Sequence, residues 1–325
     1  MNNTNINSRR KFLYKSGLLS TGLLYATSLE SKAYAIINQT ILNSKFFGVQ
    51  MGVITYSFRS MKQDIDSLIK YCKECNINAI ELMGDSIEEH AGKPKNTTNS
   101  KNPLASVKYR KDVINWRTKV SMKNFKKLKK LFNNNGITIY AFKPNALREN
   151  NTDEEIIYAL KAGKALGATH VTVEIPKDEN HSLRLGKLAE KHKMHIAYHA
   201  HKQASDTAWD TLLSQSPYNA INLDCGHYIA AGENNTPENL LRFIEKNNKK
   251  IMSMHLKDRS SNKTGKTNHP WGEGETPIRE ILTLLKERKY NIPVSIEFEY
   301  RTSAASSAVD EVKKCLEYSK NILSL

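Results

Sequence analysis

Cysteine is scarce in this chain, and its spacing rules out more than it suggests. Four of the 325 residues are cysteine, at Cys72, Cys75, Cys225 and Cys315. Cys72 and Cys75 form a lone CxxC on an expected helix. No second pair completes a zinc ribbon, so the two read as packed or half-exposed thiols, and a redox role is only weakly signalled. Glycine-rich phosphate cradles are missing as well. None follows the first apolar run, which argues against a dinucleotide-binding, doubly wound sheet. No apolar stretch reaches the roughly 18 residues expected of a membrane span. Acidic residues are the minority charge, 33 against 49 lysines and arginines, for a net charge of +16. Such an excess attracts phosphate surfaces. Here the lysines fall in helical stretches such as 123–130 and 246–250, without interleaved aromatics. The charge is therefore read as solvated helix faces, with no nucleic-acid partner. No internal repeat or interdomain linker divides the chain.

What is present starts at the N-terminus. Ser8-Arg9-Arg10-Lys11-Phe12-Leu13 looks like a twin-arginine export signal. A mildly apolar run from Gly17 to Ala26 follows, and then small residues at Ala33-Tyr34-Ala35 that suit signal-peptidase cleavage. The expected organisation is a signal peptide over 1–35 and one domain over 36–325, with no membrane span after cleavage. The expected route is the twin-arginine export machinery, which carries folded and often metal-loaded proteins, and the expected place is the periplasm.

Beyond Phe47, short apolar runs alternate with amphipathic stretches. Strands are expected at Val49–Tyr56, Ala79–Met83, Ile137–Phe142, His170–Ile175, His195–His201, Ile221–Asp224, Ile251–Leu256 and Val294–Phe298. Helical patterns such as Ile65–Cys75, Met122–Phe132, Asp153–Leu166 and Pro277–Glu287 lie between them. Eight strand-then-helix units over about 275 residues predict a single (β/α)8 TIM barrel. The polar stretch Gly84–Val120 is expected to be a long loop on the face where barrels keep their active sites.

Strand alternation then sorts the polar residues. If Val171, Val173 and Ile175 face the helices, Thr172 and Glu174 face inward. By the same phase Asn222, Asp224, Ser253, His255, Lys257, Ser295, Glu297 and Glu299 point inward, as do Glu81, His199 and His201. Most sit late in their strands, so they gather at the carboxyl end. Buried charges are costly unless paired or bound to metal. A cluster of inward carboxylates and imidazoles therefore predicts a bound cation.

With these residues in view, the chain resembles the xylose-isomerase-like sugar phosphate isomerase/epimerase superfamily, which includes tagatose/psicose 3-epimerases and endonuclease IV. The resemblance rests on Glu174 in Val-Thr-Val-Glu-Ile-Pro, Asp224 and His227 in Leu-Asp-Cys-Gly-His, His255 in His-Leu-Lys-Asp, Trp271-Gly-Glu-Gly-Glu-Thr-Pro277, and Glu297 in Ile-Glu-Phe-Glu-Tyr. It covers nearly the whole mature chain. It implies metal ligands at Glu174, Asp224, His255 and Glu297, and a substrate- or metal-contacting histidine at His227. Glu81 and Lys143 stand where endonuclease IV would need extra histidines, so a trinuclear zinc cluster looks incomplete.

The expected cofactor is one divalent ion, Mn2+, Mg2+, Co2+ or Zn2+. The expected activity is sugar isomerisation or epimerisation through a metal-stabilised enediolate, with Glu174 and Glu297 as the acid/base pair and His227 assisting. His199, His201, Lys257, Trp271 and Lys143 are the expected substrate-binding residues, with Trp271 stacking on a sugar face. Lys143 reads equally as a salt-bridge partner, and Glu299 as a support for His or Lys. His195 reads as a packed strand residue, and His90 and His269 as loop residues. A lyase or hydratase acting on keto-glycosides through the same metal site, and a noncatalytic sugar-binding barrel, are the alternatives. The expected partner is a small carbohydrate or keto-sugar; self-association into a homo-oligomer is left open.

Overall fold

The computed structural model describes residues 42–96, 103–232 and 234–325. The expected signal peptide lies outside the described residues. Eight parallel strands form the barrel wall: β1 Val49–Ile54, β2 Ala79–Met83, β3 Thr138–Lys143, β4 His170–Glu174, β5 His195–His199, β6 Asn219–Asp224, β7 Ile251–Leu256 and β8 Val294–Ile296. Each pairs with its neighbours in sequence, and β8 pairs back onto β1, so the sheet closes. The (β/α)8 barrel expected from the alternation is the observed fold. A two-residue strand, Lys45–Phe46, pairs antiparallel with β1.

Local chemistry sets the helix ends. Thr152 and Glu155 form a reciprocal capping box at the start of Asp153–Leu166, and Gly167 ends that helix with φ 85°. Between the helices and the strands lies an apolar layer that includes Val171, Ile196, Leu223, Met254 and Ile296, all fully buried. These are the residues whose phase pointed them outward. Cys72 and Cys75 belong to the same layer, and burial pushes the Cys75 thiol up to about 12. A thiol that resists ionisation makes a poor nucleophile. Among the described residues no helix is long and apolar enough to cross a membrane.

The stretch expected as a long loop after β2 is instead largely helical, with helices Gly84–His90 and Pro103–Lys119. Its polarity misled because much of it serves a buried ion network. The Arg117 guanidinium reaches Glu88 at 2.9 Å and Glu155 at 2.9 Å, and Arg110 reaches Glu155 at 2.6 Å. Both carboxylates are fully buried. Burial alone would raise the Glu155 carboxyl, but the two guanidinium groups outweigh it and bring it down to about 2.

The barrel interior is filled in layers. Near the amino-terminal end, Tyr140 hydrogen-bonds Ser295. Gly52 is required there, since a Cβ would stand 2.6 Å from the Ala79 carbonyl oxygen and 3.0 Å from the Tyr140 ring. Above this layer, Ser253 Oγ is shared by His170 Nε2 at 2.8 Å and Asn222 Nδ2 at 2.7 Å. The charged residues begin one level higher.

Candidate metal centre

Strand register brings the charged side chains to a common height. Glu174 pairs with His199, His199 with Asn222, and Asp224 with His255. Glu297 follows the last residue of β8, and its N–H donates to the Leu256 carbonyl at 3.0 Å, which extends the ladder. Asp224 ends β6 and caps the helix Cys225–Ala231. Its Oδ1 accepts the His227 N–H at 2.7 Å, which fixes the carboxylate and turns Oδ2 inward.

Asp224 Oδ2 is buried and accepts no well-directed hydrogen bond. The Lys257 ammonium stands 3.0 Å away, close enough for charge attraction. Imidazole nitrogens of His199, His227 and His255 each lie 3.8 Å from this oxygen. Donors around a single zinc stand about 3.4 Å apart in tetrahedral geometry, so this spacing suits a shared cation.

Neighbouring groups decide which nitrogens are free to coordinate. His199 Nδ1 faces the Asn222 amide oxygen at 2.7 Å, which can only accept. Nδ1 therefore carries the proton and Nε2 presents its lone pair to Asp224. His255 Nε2 faces Glu81 Oε2 at 2.6 Å, so Nε2 is protonated and Nδ1 is turned to Asp224 and to Glu297, the latter at 2.9 Å. Glu81 is in turn held by the Thr172 hydroxyl at 2.7 Å. A carboxylate behind a ligating histidine is the usual means of orienting it.

The charges of the cluster point the same way. Five carboxylates, Glu81, Glu174, Asp224, Glu297 and Glu299, share the barrel mouth with three permanent cations, Lys143, Lys257 and Arg259. The surplus of two negative charges matches one divalent ion once His255 is neutral. Without such an ion, burial would hold His255 neutral, but Glu81 and Glu297 outweigh it and push it up to about 10. Burial pushes His227 down to about 2, with the Lys257 charge adding to the effect. Burial would raise Glu297, yet Lys257 and His255 hold it well below the ordinary carboxylate range.

The structure brings Asp224, His255, Glu297, Lys257, His199 and His227 into one contact network. Glu174 sits beside it, half-exposed, bonded to Lys143 Nζ at 2.8 Å and to His201 Nε2 at 2.9 Å. His201 lies just past the end of β5, and its ring stacks on His227 at 4.4 Å between centroids. Glu299 accepts from Lys257 at 2.8 Å. Trp271 stands apart from this network. Its ring packs edge-on against Tyr318 at 6.2 Å, in a loop whose backbone is gathered by Asp258 through the N–H groups of Gly272, Gly274 and Thr276. His195 stacks on Tyr218, 4.8 Å away. Two contributors carried little sequence signal. Glu81 read only as an inward residue, and Arg259, which contacts His227 Nδ1 at 2.6 Å, lies beyond any regular barrel strand.

Beside the cluster, a pocket of about 630 Å3 opens over the ends of β2, β3 and β4. Lys143, Thr172 and Glu174 belong to its wall.

The model of the xylose isomerase-like TIM barrel matches residues 69–321. The chain belongs to that family. Solved barrels of similar shape include a sugar phosphate isomerase/epimerase from Parabacteroides distasonis ATCC 8503. It is 17% identical, with a TM-score of 0.55, over 83% of this chain and 93% of its own. The IolI protein with a binding zinc atom is 16% identical, with a TM-score of 0.61, over 85% of this chain and 98% of its own. The probable 3-DHS dehydratase AsbF of Bacillus anthracis is 13% identical, with a TM-score of 0.58, over 83% of this chain and 98% of its own. At these identities the likeness concerns the fold. No curated protein sequence matches the chain. This xylose isomerase-like barrel thus carries a candidate metal site of His199, Asp224 and His255, all buried. A second histidine group, His199, His201 and His227, adjoins it.

Proposed function

We propose that this barrel is a periplasmic, divalent-cation-dependent isomerase or epimerase of small sugars, exported through the twin-arginine route. The reading rests chiefly on Asp224 Oδ2, a buried carboxylate oxygen without a well-directed hydrogen bond, 3.0 Å from the Lys257 ammonium and ringed by three imidazole nitrogens at 3.8 Å. The proposed ligands are Glu174, Asp224, His255 and Glu297, with His199 Nε2 as a further facing donor. A cation held there would polarise a sugar carbonyl and stabilise negative charge on neighbouring oxygens.

The chain's own groups supply the rest. Glu174 and Glu297 are the acid/base pair, placed to remove a proton from carbon and return one. Lys143 and His201 orient the Glu174 carboxylate. Lys257, already among three carboxylates, donates hydrogen bonds to reacting oxygens, and His227 assists. The zinc-binding and isomerase/epimerase descriptions of similar barrels support this class. The dehydratase among them favours a second reading, in which the same proton removal expels a group from the neighbouring carbon of a keto-glycoside.

Metal-loaded protein incubated with sugars in heavy water separates the readings. Deuterium in an unchanged carbon skeleton supports isomerisation, whereas release of an aglycone supports elimination. Neither event would leave a noncatalytic sugar binder. Glu297→Gln is expected to abolish turnover, and full retained activity would remove Glu297 from the acid/base role.

A further inference from the structure

The pocket over β3 and β4 is larger and more apolar than a monosaccharide site needs. Its volume is about 630 Å3, within the roughly 300–1,000 Å3 typical of sites for drug-sized ligands. The cation cluster at its edge would hold only the polyol end of a substrate. Away from that cluster the wall changes character. Met83, Val173, Ile175 and Pro176 are all partly exposed along it. A folded chain does not gain stability from leaving such side chains wet, and a grouped set beside a polar site marks a place for an apolar partner. Backbone contacts keep the wall in place: the Ile175 N–H donates to the His199 carbonyl at 2.9 Å, prolonging the ladder one residue past Glu174. Lys143 and Glu174, bonded at 2.8 Å, line the pocket and also adjoin the cation cluster, so they mark the junction between its polar and apolar parts.

We propose that this pocket is a subsite for an uncharged, ring-sized apolar substituent joined to the sugar, so that the substrate is a keto-glycoside, with its carbonyl on the sugar ring, and not a free monosaccharide. The proposal rests on the sugar-binding reading above and narrows it. The sugar lies over the cation cluster, the linking oxygen lies near Lys143, and the substituent lies against Met83, Val173 and Ile175. Arg148 and Lys177 sit exposed on the rim, where they would favour an anionic substituent instead. Glu149 stands on the same rim, accepting the Lys177 N–H at 3.0 Å, and offsets one of these charges, so the four apolar side chains argue for the uncharged one.

Calorimetric titration of the metal-loaded protein with phenyl β-D-glucopyranoside, methyl β-D-glucopyranoside and glucose 6-phosphate tests this. The phenyl glycoside is expected to bind at least about tenfold more tightly than the methyl glycoside, from the apolar area it buries. Ile175→Asp and, separately, Met83→Gln are expected to erase that preference while leaving methyl glycoside affinity unchanged. Equal affinities, absence of binding, or tightest binding by the phosphate would each overturn the subsite. So would a phenyl preference that survives both substitutions. Turnover in heavy water is scored separately, with a phenyl 3-keto-glucoside, because the two glucosides lack the carbonyl that proton removal needs. A phenyl preference without any turnover sinks the enzyme reading and keeps the subsite, whereas turnover without a preference does the reverse.

Discussion

Glu81→Gln isolates the part of the site that never touches substrate. Glu81 is fully buried and accepts the His255 Nε2–H at 2.6 Å, while Thr172 donates to its other oxygen at 2.7 Å. Glutamine keeps the shape, and its amide oxygen can still accept from Nε2. The Thr172 hydroxyl needs only to turn round and accept from the new amide. The fold should therefore survive, but the negative charge behind His255 is lost. Loss of such an orienting carboxylate typically lowers metal affinity by about 10- to 100-fold, or about 1.4–2.7 kcal/mol. Titration of metal-free protein with Zn2+ and Mn2+, checked by elemental analysis, gives the affinity; a thermal melt in chelator confirms that the fold is intact. An affinity within twofold of the unaltered protein, with the melt unchanged, would refute the assignment of His255 as a ligand presented by Glu81.

Four other outcomes are expected. Elemental analysis of the purified protein should find about one equivalent of a divalent ion, in keeping with the surplus of carboxylates over permanent cations; three zincs would revive a nuclease-like centre. Arg117→Met should cost about 3 kcal/mol in urea unfolding, because it leaves buried Glu88 and Glu155 with Lys93 and Arg110 as their remaining cationic partners. The same network gives an acid limit: Glu155 titrates near 2 when folded and near 4.3 in an unfolded chain. Its contribution is complete above about pH 4.3 and is lost as the pH falls toward 2, so the unaltered protein should lose more stability over that range than Arg117→Met. Gly226→Ala would place a Cβ 2.7 Å from the Lys257 carbonyl oxygen. It should destabilise the chain by about 2 kcal/mol and lower activity by displacing Lys257; an unchanged melt and rate would show that the helix can shift freely.

Much of this architecture is written in local patterns. The alternation of Val, Ile and Leu with polar residues marked the eight strands and told which side chains face inward. It did so because a strand has a period of two, whatever its neighbours do. Residues such as Asp224, His255 and Glu297 could therefore be assigned to one end of one barrel. Periodicity failed over 84–120, where helices built around a buried ion network carry charges that mimic a solvated loop. It also said nothing of Arg259 or of the placement of Trp271, because loops follow no period.

The exact pairing across strands was beyond any local pattern. The register of β6 against β7 shifts between Ile221 and Asn222, moving from Ile221 opposite Ile251 to Asn222 opposite Ser253. Without that shift Asp224 would stand opposite Met254, an outward-facing apolar residue; with it, Asp224 meets His255. A second shift, between Ile80 and Glu81 on β2, accompanies the approach of Glu81 to the far side of the same imidazole. Which residue types face the interior follows from the covalent chain and its alternation. Which of them meet is set by strand slippage inside a closed sheet, where every strand must satisfy two neighbours at once.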